Sequence, residues 1–152
     1  MDKPDLVYIA FIATDVEKLW RLLTSEADSP FWFFGCRIEI GGAAGGPYRV
    51  LGPDGALAVD GEILAIEPPH RLRILWRMPG NPLGEGRQNE IQYRIEPATE
   101  GVVKLSVSEF HHLPVPDAWQ EAGREGWSKI LSALKTLCET GRPLPLAMGE
   151  QP

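Results

Sequence analysis

The chain has 152 residues, 43% apolar and 24% charged, with a net charge of −6 at neutral pH. That length suits a single domain whose core needs neither metal nor disulfide to hold it, and the composition excludes a disordered chain. The acidic balance, with no cluster of lysine and arginine, argues against a nucleic-acid partner.

The polar Met1–Asp5 segment lacks the apolar core of a signal peptide. Leu6 to Ile12 is apolar and reads as a first strand. Thr14-Asp15-Val16-Glu17 has capping-box spacing, and Val16, Leu19, Trp20 and Leu23 then form one helical stripe. Ser29-Pro30 is expected to open a second short helix carrying Phe31, Trp32, Phe33 and Phe34.

From residue 36 to 112 the pattern is strands and turns. Arg37–Ile40 alternates, and the Gly41–Pro47 link leads into Tyr48–Leu51. Pro53-Asp54-Gly55 is a turn, and Ala56–Ile66 reads as a bent strand with Gly61 as its expected bulge. Leu72, Ile74, Trp76 and Met78 alternate with Arg71, Arg73 and Arg77. Pro79 to Arg87 is long for a hairpin loop and is a candidate gate. Ile91, Tyr93 and Ile95 alternate with charged and polar residues, and after the Glu100-Gly101 turn so do Val103, Leu105 and Val107. One-sided alternation in short-linked strands predicts an antiparallel sheet with one wet face.

Asp117 is expected to cap a final helix, with Gln120 at its third position. Trp127, Ile130, Leu131, Leu134, Leu137 and Cys138 give that helix an apolar stripe, and Gly141 ends it. About 1.5 Å per residue makes residues 118 to 140 long enough to cross a sheet. Residues 1–141 thus read as one domain and 142–152 as a proline-rich surface tail.

A sheet with one apolar face needs a cover, and only the last helix is large enough. Gly123 and Gly126 leave room beside Trp119 and Trp127. The inner face carries Trp32, Tyr48, Trp76, Tyr93, Trp119 and Trp127, large rings of which Trp and Tyr need polar partners when buried. A packed core and a ligand cavity explain this pattern equally well. In the cavity reading the ligand-binding residues are Trp32, Tyr48, Trp76, Met78, Tyr93 and Trp119, together with Gly123, Trp127 and Ile130.

Several motifs in order resemble a known superfamily. They are Val16, Leu19, Trp20, Leu22 and Leu23 after strand one, then Gly45-Gly46-Pro47-Tyr48-Arg49, Asp54-Gly55, and Gly61-Glu62-Ile63 with Ile66-Glu67-Pro68. Arg71-Leu72, Trp76 and Gly126-Trp127 with Ile130-Leu131 and Leu134-Lys135 complete them. Over residues 5 to 141 the chain is similar to the SRPBCC, or START-like, helix-grip superfamily. Within it, the chain is similar to proteins of the activator of heat-shock protein ninety ATPase homologue type. The resemblance implies an α+β helix-grip fold, a curved antiparallel sheet of six to seven strands around a long C-terminal helix, with two short helices after the first strand. It also implies a cavity that in many members holds lipids, polyketides or other apolar molecules, co-chaperone activity in a few, and cyclase or hydratase chemistry in others. The chaperone activator carries a separate N-terminal domain with no counterpart expected here.

The polar candidates are few. Period two carries Glu109 and His111 to the same face as Leu105 and Val107, where they could form an acid–base pair or sit at a wet rim. Two ligands are too few for zinc, and no phosphate loop or Rossmann fingerprint appears, so no metal or cofactor is expected. His70 and His112 receive no role. Asp60 and Glu62 are expected to pair with arginines of the following strand, and Arg49 to be solvated. Cys36 and Cys138 stand too far apart for C-x-x-C chemistry and are expected as buried thiols in a reducing, cytoplasmic setting. No apolar run approaches the ~20 residues that span a bilayer. The expected function is binding of a small apolar or amphipathic molecule. The alternatives are a cyclase-, dehydratase- or hydrolase-type enzyme using Glu109 and His111, and a chaperone-associated interaction protein. A homodimer is compatible with the sequence.

Overall fold

The computed structural model describes residues 3–79, 88–112 and 114–145. Strand β1 (Leu6–Ile12) is followed by helix α1 (Val16–Thr24) and a single 3-10 turn (Ser29–Phe31). Six strands follow: β2 (Arg37–Ile40), β3 (Pro47–Leu51), β4 (Leu57–Glu67), β5 (Arg71–Arg77), β6 (Gln88–Thr99) and β7 (Val102–His111). Helix α2 (Asp117–Thr140) is the last described element. The expected gate falls mostly on residues 80–87, and the end of the tail on 146–152, outside the described residues.

All seven strands form one antiparallel sheet in the order β1-β7-β6-β5-β4-β3-β2. The fold is α+β, a curved sheet with a long C-terminal helix, as the alternation and the resemblance both imply. Strands β2 to β7 follow one another as a meander, and β1 joins at the far edge beside β7. The inner face carries the core: Ile38, Val50, Ile74, Ile95, Leu105 and Val107 are all essentially inaccessible. Ile130, Ala133, Leu134 and Cys138 of α2 pack down on it.

Three irregularities interrupt the sheet, one of them between Pro97 and Thr99 against β7. The other two lie between Val50 and Leu51, against β4, and between Ile63 and Ala65, against β5. The bulge of β4 against β5 is therefore at Leu64 and not at Gly61. It switches the inward set of β4 from Val59 and Ile63 to Ile66, which faces Leu72. Gly61 serves close approach instead: a Cβ there would collide with the carbonyl oxygen of Leu75 and come within 3.1 Å of that of Tyr48.

The helix ends differ from the sequence expectation. Asp15, not Thr14, caps α1, its carboxylate accepting the Lys18 N–H at 2.7 Å. Asp117 is the first residue of α2, where its charge favours the helix dipole, and the Gln120 amide donates to the Val115 carbonyl. The C-terminus is as expected: Gly141 is left-handed (φ 74) and donates to Leu137. The anticipated second helix is only the 3-10 turn, held by Ser29, whose hydroxyl donates to the Glu26 carbonyl and accepts the Ile38 N–H.

Helix α2 is also tied to the free edge of β1. The Ala13 N–H donates to Glu139, and Lys135 Nζ donates to the Phe11 carbonyl at 2.7 Å. These contacts cover unpaired backbone groups that would otherwise invite another strand. Val7, Ile9 and Phe11 on the outer face of β1 stay about half exposed.

On the wet face, Asp60 pairs with Arg49 of the preceding strand at 3.7 Å, not with an arginine of the following one, while Arg77 donates to the Asp60 carbonyl. Arg49 is thus shared between Asp60 and Glu39. Both cysteines are buried, and neither forms a disulfide among the described residues. No described helix is long and apolar enough to cross a membrane.

Candidate functional site

The N-terminal half of α2 does not close onto the sheet beneath it. A cavity of about 250 Å³ lies between them. Strands β5, β6 and β7 form its floor through Trp76, Asn89, Ile91, Glu109 and His111. The register explains this grouping: Trp76 faces Asn89, Asn89 faces His111, and Ile91 faces Glu109, so one row of the inner face runs under the opening. Helix α2 supplies the roof with Trp119, Gly123, Gly126, Trp127 and Ile130. Met78 and Trp119 are the exposed members of this wall and mark the mouth.

Gly123 is what keeps the roof thin. A Cβ at this position would meet nothing within 4 Å. Phe33 and Phe34 complete the side wall. Phe34 takes φ 50 and Gly35 φ 71, and this left-handed pair turns the chain so that both rings face inward. Such a backbone is costly for an aromatic residue and is held by the surrounding packing.

Trp127 is the hub of the aromatic wall. Its ring lies 6.2 Å from Tyr8, 6.3 Å from Trp76 and 6.0 Å from Tyr93, centroid to centroid. Its indole N–H donates to Glu109 Oε1 at 3.0 Å. The other carboxylate oxygen accepts a long bond from the Tyr8 hydroxyl (3.4 Å) and lies 3.6 Å from His111 Nε2. Burial, and then the Glu109 charge, push the Tyr8 phenol up, so it remains a donor at any physiological pH. The buried Oδ1 of Asn89 has no partner among the described residues.

Of the residues singled out from sequence, Trp76, Met78, Trp119, Gly123, Trp127 and Ile130 line the cavity, as do Glu109 and His111. Trp32, Tyr48 and Tyr93 do not. They are fully buried behind it, and Trp32 spends its N–H on the Leu22 carbonyl. Tyr48 and Tyr93 are raised mainly by burial. Asn89 and Gln120 also line the cavity and were missed; Asn89 is two residues before Ile91, so the same alternation places it there. Among the described residues no cluster of His, Cys, Asp and Glu could hold a metal.

Residues 13–139 match the family described as activator of Hsp90 ATPase homolog 1-like protein. The chain belongs to this family. No match is found among curated proteins. Among solved structures the chain is similar to DynU16, from the dynemicin biosynthetic locus, at TM-score 0.76 and 22% identity over 91% of its length. It spans about half of DynU16, 48% of that chain. It is similar to PFC0360w, an HSP90 activator from Plasmodium falciparum, at TM-score 0.70 and 16% identity, covering 89% of this chain and 94% of that one. It is similar to the Aha1 dimer from Colwellia psychrerythraea at TM-score 0.72 and 17% identity, covering 90% and 96%. Identities this low establish a shared fold. Activity has to be argued from the site.

Proposed function

We propose that this protein binds a small, mainly apolar molecule in the cavity between α2 and the sheet. The observation that carries the reading is the 250 Å³ space walled by aromatic and aliphatic side chains, with a few polar groups gathered at one end. An apolar cavity of roughly 150 Å³ accommodates benzene, so this one suits a ring with a short substituent or a fused ring pair.

Three tryptophans in the wall give the test its signal. Titration with indole and with toluene should change intrinsic fluorescence and raise the melting temperature. The variant Gly123→Leu puts a side chain where only open space exists and should remove both responses while leaving the fold intact. No response in the unmodified protein, or an undiminished one in Gly123→Leu, would reject cavity binding.

An enzymatic reading is favoured by one observation, Glu109 and His111 sharing the wall at 3.6 Å. It expects Glu109→Gln and His111→Asn to abolish turnover of a bound compound without abolishing its binding. A chaperone-associated role is supported by the family and by a neighbour described as an HSP90 activator, and pull-down of the chaperone decides it. A homodimer is supported by the exposed Val7, Ile9 and Phe11 row and by a neighbour described as a dimer. Sedimentation of a monomer at micromolar concentration would reject it.

A further inference from the structure

We propose that the cavity selects a small protonated amine carried on a ring, and discriminates against the carboxylate of the same shape. This rests on the binding reading above and adds the charge of the ligand.

The polar end of the cavity is marked by a negative charge and an unpartnered acceptor. Glu109 brings a carboxylate, and Asn89 brings a buried Oδ1 with no partner among the described residues. Two donors at this end are already committed: the Trp127 N–H and the Tyr8 O–H are both directed at Glu109. His111 Nε2 also faces that carboxylate. No lysine or arginine among the described residues lines the cavity. Arg124, whose field reaches Tyr8, is half exposed and pairs with Glu121. An incoming carboxylate would therefore meet the Glu109 charge with no lysine or arginine among the described lining residues to offset it, and desolvating it there is costly.

A protonated amine finds the opposite situation. Its N–H groups have Glu109 and Asn89 as acceptors, and its charge enters a wall that includes Trp76, Trp119 and Trp127, rings whose quadrupoles attract cations. The dimensions agree, since one ring and a short stem fill the space whereas a long acyl chain exceeds it.

The test uses three probes of nearly equal shape, phenethylamine, phenethyl alcohol and phenylacetate, titrated calorimetrically into the full chain near neutral pH. The amine is expected to bind at least about tenfold more tightly than the acid, the difference made by one charge-assisted hydrogen bond. In Glu109→Gln the amine's advantage over the alcohol should disappear. An acid that binds as tightly as the amine, or an amine advantage that survives Glu109→Gln, overturns the charge selectivity while cavity binding stands. If none of the three binds, the amine selectivity falls, and the indole and toluene titrations decide cavity binding separately.

Discussion

Trp127 shows how one side chain can serve packing and chemistry together. Its ring joins Tyr8, Trp76 and Tyr93 into one wall, and its N–H holds Glu109 in place. Trp127→Phe keeps most of the apolar contact but leaves a buried carboxylate oxygen short of a donor. That should cost roughly 1–3 kcal/mol, read from urea unfolding. A change of a few tenths would mean that solvent, and not the indole, satisfies Glu109. The role of Trp127 in the wall was legible, because it opens the apolar stripe of the last helix and follows Gly126. Trp32, Tyr48 and Tyr93 were misplaced by the same reasoning. Aromatic character and an inward phase say that a ring faces the core; they do not say at what depth it stops.

Single elements carry the next level of explanation. Strand β7 delivers Glu109 and His111 inward and Phe110 outward, and only strict alternation through its last residues makes that possible. The outer face is a structure in its own right. Glu90 accepts from Arg73 Nε at 2.7 Å and His112 Nε2 at 2.8 Å, and the Arg73 guanidinium stacks 4.1 Å above the Phe110 ring. Burial alone would raise the Glu90 carboxyl, but the hydrogen bonds from His112 and Arg73 outweigh it and hold it below the usual carboxylate value. A depressed acid adds stability above its unfolded value and loses it as pH falls through its folded one. Glu90→Gln should therefore be less stable than the unmodified protein near neutral pH, with the gap closing below about pH 4. Thermal melts of both proteins across that range check it, and a pH-independent gap would assign the effect to packing. Such networks were not legible. The sequence offered Arg73 and Glu90 as surface charges, but the β5–β6 pairing and the turn toward His112 set their geometry. The left-handed Phe34-Gly35 turn was equally hidden, since nothing local marks a phenylalanine for positive φ.

At the scale of the molecule, the helix–sheet layering follows from patterns visible in the sequence: six alternating strands and one long amphipathic helix leave few other ways to bury an apolar face. The space left beneath the helix was only half legible, because Gly123 fits a tight contact as well as an open one, and coordinates alone separate the two. The layering also isolates the thiols. Burial pushes Cys138 up to about 11, and Cys36 is fully enclosed. Both should resist a thiol reagent near pH 8 in the native protein and react only as fast as the whole fold opens. Stoichiometric labelling within seconds, without denaturant, would contradict this packing.

The position of β1 has a consequence during synthesis. Leu6 must find Glu109, and Ile12 must find Val103, whereas every other strand pairs with one made just before or after it. At ~5–20 residues per second, the first strand waits roughly 5–20 seconds for its partner to leave the ribosome. Throughout that interval it is apolar on both sides, with Tyr8 and Ala10 on one and Val7, Ile9 and Phe11 on the other. The nascent chain thus carries a sticky segment until β7 has been made, and its yield in a cell depends on how well that segment is shielded from other emerging chains.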